Sequence, residues 1–334
     1  MRNVSCFFIL CLLFVALLVL DLRFGSVDIP FFEIKSYFLE GDTSKKTWSV
    51  ILGEIRIPRI LTAIMAGAAL AISGLFMQTL FRNPLAGPYV LGISSGASLG
   101  VALWTLFGFV TYSGGISGQL ICAAIGSVTV FSVILLFSRY IGDATVLLLV
   151  GFLLGTVTGG IVSLLVYFSN TTELESFLIW SFGSFGRVPK EQLSLFALGI
   201  GLPILVSLPF CKTMNAFLMG PQMAQSLGIS LDRIRMLLIL LSSSLAAVVT
   251  VFCGPIGFLG IAVPHLCRAV FRTQNHFILI PACIISGASF CLLSDLIAHW
   301  PSSQLKLPLN AVTATLGAPI VMIAILQGNR KGQR

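Results

Sequence analysis

An all-helical membrane protein with ten spans is the fold this sequence predicts, and three observations predict it. Of 334 residues, 57% are hydrophobic and only 10% charged, with a mean hydropathy of +1.01. A soluble domain carries about 25% charged residues and has no core able to hide this much apolar surface. Apolar runs near the length of a spanning helix, about 20 residues, follow one another almost end to end. These runs lack the strict apolar/polar alternation that a membrane barrel requires. The bilayer is therefore the solvent, and residues 1–334 read as one transmembrane domain.

Taken in order, the first span covers 4–22. It has the apolar stretch of a secretory signal but is long for one, and no small-x-small cleavage site follows before Asp21 and Arg23. It is expected to stay as a helix. The remaining spans are predicted at 60–81, 89–110, 118–138, 144–168, 192–211, 234–253, 256–271, 277–298 and 308–327. An even number of spans puts both termini on one side. With that side cytoplasmic, Lys and Arg divide eleven inside to nine outside, a narrow margin in the expected sense.

Within the spans, Gly92, Gly96 and Gly100 recur every four residues, as do Gly151, Gly155 and Gly159. Each set strips one helix face of side chains and predicts close packing against a neighbouring backbone. The segments Asn83-Pro84-Leu85-Ala86-Gly87-Pro88 and Gly254-Pro255-Ile256-Gly257 break the helical pattern. Broken backbone at membrane depth survives only inside protein or beside a water-filled cavity. An ordinary loop is the other reading of both.

Eight cysteines and three histidines are scattered without a CxxC pair, so the cysteines read as small buried hydrophobes and no metal site is expected. No lysine follows a glycine, which excludes the phosphate-binding GxxxxGK[ST] loop; HExxH and GxSxG are also absent. The spans hold almost no ionisable groups, with Asp295, His299 and His265 as the candidates. A carrier coupled to protons or sodium would place more charge at the midplane. The energy for any transport is thus expected from elsewhere, and no catalytic residue or nucleic-acid contact is predicted.

These residues also form an ordered set of motifs. They run from Arg56-Ile57-Pro58-Arg59 through Gly67-Ala68-Ala69-Leu70-Ala71-Ile72-Ser73-Gly74 and Gln78 to Asn83-Pro84-Leu85-Ala86. Leu91-Gly92-Ile93-Ser94-Ser95-Gly96-Ala97, Gly254-Pro255-Ile256-Gly257-Phe258-Leu259-Gly260, Pro264-His265, Arg268, Leu307-Pro308, Thr313-Ala314 and Gly317-Ala318-Pro319 follow. In this order the chain resembles, over essentially its whole length, the iron-chelate, haem and cobalamin permeases of binding-protein-dependent ABC importers. The resemblance implies the type II importer architecture and a bacterial inner-membrane location with both termini cytoplasmic. It implies a dimer with a second copy or a close paralogue, two ATP-binding subunits and a periplasmic substrate-binding protein. ATP and magnesium would sit on the ATPase partners, with no cofactor in this chain. The cargo expected first is an iron complex, siderophore or haem; cobalamin is the alternative, and a secondary carrier or channel the alternative of another class.

The resemblance also places three working regions. Arg56 and Arg59, three residues apart at the outer mouth of the second span, are expected to project to one side and grip acidic residues of the binding protein. Interfacial snorkelling is the plain alternative. A third docking arginine of relatives falls on His299, which also stands four residues after Asp295, so a local pair is an equal reading; Lys306 replaces a usual Glu and Asn310 a usual Gly. The loop at about 214–230 resembles the coupling helices that enter an ATPase groove, with Gly220, Pro221, Gln222, Ala224, Leu227 and Gly228 as its candidates. Pro221, Gln222 and Gln225 replace the charges common there and predict a neutral, apolar contact; an ordinary amphipathic loop helix is the alternative. At the inner gate, Asn83 and Leu85 are expected to face Ala144 and Thr145, unless Asn83 simply caps a helix end.

Overall fold

The structure, a computed structural model, describes residues 2–25, 27–41, 43–106, 115–141, 143–299 and 307–332. Among these residues helices are joined by turns, with no strand. The α-helices are α1 (Arg2–Arg23), α2 (Phe31–Glu40), α3 (Lys46–Val50), α4 (Ile57–Phe81), α5 (Ile93–Leu106), α6 (Gly115–Tyr140), α7 (Ala144–Tyr167) and α8 (Thr171–Ser181). They continue with α9 (Leu193–Ser207), α10 (Cys211–Leu218), α11 (Pro221–Ser226), α12 (Leu231–Cys253), α13 (Leu259–Phe271), α14 (His276–His299) and α15 (Leu309–Gly332). Apolar runs become helices because backbone groups in hydrocarbon find partners only within their own segment. Seven segments are long and apolar enough to span, and the shorter Ile93–Leu106, Leu259–Phe271 and Leu309–Ile323 complete the ten expected spans.

Successive spans run in opposite directions between two ends of the bundle. One end carries α2 and the C-terminus of α1; the other carries α10, α11 and the C-terminus of α4. Arg2 and Gly332 both fall on the α11 side. A π-helical stretch, Ile51–Arg56, joins α3 to α4, so Lys46–Phe81 is one continuous helix of 36 residues. Its cause is Pro58, which has no N–H to offer Glu54.

The core forms around α4, which is buried along most of its length. Small residues let its neighbours approach to backbone distance. A Cβ at Gly67 would meet the Gly287 oxygen at 2.2 Å, and one at Gly74 would meet the Gly260 oxygen at 1.7 Å. Ser73 and Ser242 add a reciprocal clasp between α4 and α12, with their hydroxyl oxygens 2.7 Å apart and Ser242 Oγ donating to the Ser73 carbonyl at 2.9 Å. Lipid gives apolar side chains no reason to prefer each other, so close van der Waals contact and such bonds supply the association.

The glycine expectation holds unevenly. Gly96 and Gly100 of α5 lie against α6, where a Cβ would meet the Gly126 oxygen at 2.5 Å and the Cys122 oxygen at 2.0 Å. In α7, Gly151 abuts the Leu91 backbone at 2.8 Å, Gly155 has only ordinary contacts from 3.4 Å, and Gly159 faces open space. The second triplet is therefore a packing face at one end only, because α7 splays from its neighbour.

The break at Gly254-Pro255-Ile256-Gly257 is largely enclosed by protein, whereas Asn83, Pro84 and Leu85 of the other are exposed at the α11 end and only Ala86, Gly87 and Pro88 are buried. With 13 residues, α13 rises only about 20 Å, short of a bilayer core of roughly 30 Å. Residues 254–258 cover the remainder, and their backbone is satisfied by other elements. Ile256 N–H donates to Tyr89 Oη at 3.2 Å and Gly257 N–H to Asn310 Oδ1 at 3.0 Å. Asn310 N–H donates to the Phe182 carbonyl at 3.0 Å, tying α15 to the same corner. Asn310, a departure from the usual glycine, thus fastens a break that would otherwise lack an acceptor.

Candidate functional site

At the α2 end, Arg56 and Arg59 do project to one side, but that side is the chain itself. Arg56 is 3% exposed and donates to the carbonyls of Leu22, Arg23 and Val27, the turn leaving α1. Arg59 Nε lies 2.8 Å from Asp295 Oδ2 of α14, and its Nη2 lies 3.5 Å from Asp21 Oδ1 of α1. The Nε–H does not point at the carboxylate, so the shorter contact is coulombic rather than a hydrogen bond. Both carboxylates are buried. The guanidiniums therefore staple α1, α4 and α14 together beneath the surface and do not stand out from it, which corrects the expected presentation. His299 Nδ1 sits 2.9 Å from the Asp295 carbonyl oxygen and 3.4 Å from its Oδ1, the local pair foreseen. Lys306 lies outside the described residues.

At the other end lie two short helices, α10 and α11. The corner between them needs Gly220, whose φ of +123° no side chain tolerates well, followed by Pro221 at the first helical position, where a missing N–H costs nothing. Ala224 is buried, and its N–H donates to the Gly220 carbonyl at 2.9 Å while its carbonyl accepts from Ile229 at 3.0 Å. That anchors α11 by one side. Met219, Met223 and Leu227 are exposed around it, as are Gln222 and Gln225, and Gly228 closes the turn at φ +77°. The side chain of Pro221 lies outside the described residues. This surface is apolar and uncharged, as its sequence predicts.

The loop after α4 lies at the same end. Arg82 caps α4 in the left-handed region, and Asn83 Oδ1 accepts from Leu85 N–H at 2.9 Å, so Asn83 shapes the loop as an Asx turn rather than capping the helix. Leu85 is 41% exposed. At the start of α7, Asp143 caps the helix by accepting from Thr145 N–H at 2.7 Å, and that amide holds its carboxyl below the usual carboxylate range. Thr145 is exposed, and the side chain of Ala144 lies outside the described residues. Loop and helix start thus share one end of the bundle, each holding its own backbone.

The FecCD transport family matches residues 12–327 of the sequence. The chain belongs to that family. Among curated relatives, the vitamin B12 import system permease protein BtuC of Klebsiella pneumoniae is 34% identical over 323 residues, covering 97% of this chain and 94% of the relative. The BtuC protein of Escherichia coli is 34% identical over 330 residues, covering 96% and 95%. A solved structure described as an inward-facing conformation of a metal-chelate type ABC transporter has a TM-score of 0.84 at 31% identity, covering 96% of this chain and 98% of that one. This FecCD permease is an integral membrane transport subunit.

Several polar contacts of the FecCD permease escaped sequence reading. Asp21 is the acid in an otherwise apolar first span, a visible oddity, but its partner lies far along the chain. On the α11 side, Gln78 pairs with Arg268, Arg82 donates to the Phe217 carbonyl, and His276 Nδ1 meets Asn215 Oδ1 at 2.7 Å. Gln78 and Arg268 were visible as motif positions; nothing in the sequence joined them.

Proposed function

We propose that this chain is the membrane-spanning permease of an ATP-driven, binding-protein-dependent importer that moves a cobalamin-type corrinoid across the inner membrane. The observation that carries the reading is the end-to-end match to permeases of vitamin B12 import systems, at 34% identity over 97% of the chain. The iron complex favoured by the sequence has less support. The metal-chelate description of the structural relative fits a bulky chelate as a class without selecting iron.

In this reading the α11 side faces the cytoplasm, with both termini, and the α2 side faces the binding protein. The neutral surface of Met219, Met223 and Leu227 enters a groove on an ATPase subunit, which holds ATP and magnesium. Asn83, Leu85, Ala144 and Thr145 form the inner gate. Arg56, Arg59 and His299 support the docking surface from beneath, and Lys306 belongs to the outer segment beside it. A second copy, or a close paralogue, packs against sparsely buried helices such as α7.

The test is uptake by vesicles holding the permease with its ATPase and binding protein. Radiolabelled cyanocobalamin should accumulate only with internal ATP. Accumulation of a ferric siderophore but not cyanocobalamin would overturn the cargo, and uptake without ATP would overturn the mechanism.

A further inference from the structure

A cavity of about 270 Å³ lies between the α11-side ends of α4, α10, α13 and α14. Water occupies about 30 Å³ per molecule in the liquid, so this space holds a small solute with some water. Arg82 and Arg268 line it, together with Gln78, Thr79, Gln274 and His276, and no carboxylate is among its described lining residues. Arg268 donates to the neutral Gln78 Oε1, and Arg82 donates to the Phe217 carbonyl while lying over that ring at 5.2 Å. Neither guanidinium is in an ion pair among the described residues. Each has five N–H donors, so two positive charges border one concavity with donors to spare and no counter-charge.

His276 closes a wall of the cavity lined by Arg82 and Arg268, through a chain of fixed hydrogen bonds. Asn275 Oδ1 accepts from Phe277 N–H at 3.0 Å and from Asn215 Nδ2 at 2.8 Å. Asn215 Oδ1 in turn accepts from His276 N–H at 2.9 Å, so it is an acceptor and His276 Nδ1 carries a proton toward it. His276 Nε2 then meets Thr79 Oγ1 at 2.9 Å, while that hydroxyl also lies 2.8 Å from the Leu75 carbonyl. One hydroxyl proton serves only one of the two. With Nδ1 protonated, Nε2 is free to accept from the Thr79 hydroxyl, so a neutral His276 forms a polar wall of the cavity and adds no charge to that of the two guanidiniums.

We propose that this cavity binds a small oxyanion of the phosphate class, held by Arg82 and Arg268. Bidentate, charge-assisted bonds to such oxygens are what a guanidinium fork makes best. Arg82 ends α4 beside the Asn83 loop and Arg268 belongs to α13, so a bound anion bridges those two elements. Free phosphate and the headgroup of an anionic lipid share this chemistry. The inference does not depend on the cargo or on the ATPase.

The test uses the purified full-length chain, without ATPase, in nanodiscs of phosphatidylcholine alone. Radiolabelled inorganic phosphate in equilibrium dialysis should bind saturably. Gln274→Glu places a carboxylate on the exposed rim without removing a described bond, and should weaken binding by about tenfold or more. Gln274→Lys should strengthen it. Arg268→Gln should abolish it, and if that variant fails to fold, the Gln274 pair still decides. In nanodiscs containing phosphatidylglycerol, loss of phosphate binding, with retention of that lipid by the wild type but not by Gln274→Glu in native mass spectrometry, would identify a headgroup as the occupant. Unchanged phosphate binding there would identify the free anion. Equal behaviour of wild type and Gln274→Glu toward both probes would overturn the proposal.

Discussion

Where the ends of α1, α4 and α14 converge, Asp21 and Asp295 share the single guanidinium of Arg59, while Arg56 holds the turn after α1 through its carbonyls. Removing one member of a buried charge group leaves the others uncompensated, which typically costs about 3–5 kcal/mol. Arg59→Gln should therefore lower unfolding stability in detergent by about that amount. Adding Asp295→Asn should recover part of the loss, because it removes one stranded carboxylate. Arg59→Glu should be worse than Arg59→Gln, since three acids would then meet. A folded Arg59→Glu protein of wild-type stability would show the cluster to be solvated and the stapling reading wrong. The spacing of Arg56 and Arg59 was legible in the sequence, as was their shared direction. What they would meet was not, because Asp295 is brought to Arg59 only by the packing of α14 on α4.

Among the elements, α5 and α7 carry the same glycine period and different surroundings. Leu at Gly96 would drive a side chain into the Gly126 carbonyl of α6, so Gly96→Leu should sharply reduce the yield of folded protein. Gly159→Leu should leave the folded yield of the single chain unchanged, because that position opens onto free space. Equal losses in both, read from membrane expression and size-exclusion profiles, would mean that another surface covers Gly159. The break before α13 offers a further comparison. Asn310→Ala leaves the Gly257 N–H without its acceptor, at a cost of about 1–3 kcal/mol. Asn310→Asp keeps an oxygen there and should lose less, as thermal unfolding would report. Periodicity exposes a bare helix face; it does not reveal whether a neighbour comes to fill it.

For the molecule as a whole, the ten spans were readable because the bilayer imposes a length on every helix and leaves the backbone no other fold. The segment at about 214–230 stood out in the sequence through its resemblance to coupling helices. Cargo was not readable, since it depends on the surfaces two subunits form together. The exposed residues Met219, Met223 and Leu227 belong to this scale, because in the proposed function they meet an ATPase subunit. Met223→Glu with Leu227→Glu should abolish stimulation of the partner ATPase while leaving the permease folded, since both side chains are exposed in the single chain. Full stimulation by the double variant would remove α11 from the coupling path. The purified permease alone should hydrolyse no ATP, as it lacks the phosphate-binding loop.

The cluster at the end of α1 has a bearing on how the chain is made. Asp21 enters the membrane with α1, and Arg59 follows with the next membrane-spanning segment, α4. Asp295 arrives only when α14 has been translated. Throughout most of synthesis, α1, whose sides are largely bare of protein, is moored by an incomplete clasp. Closure of that clasp therefore waits until more than 200 further residues have followed Arg59. Chains released before α14 would carry a loosely held α1, a feature by which a membrane protease can tell them from chains in which the clasp has closed.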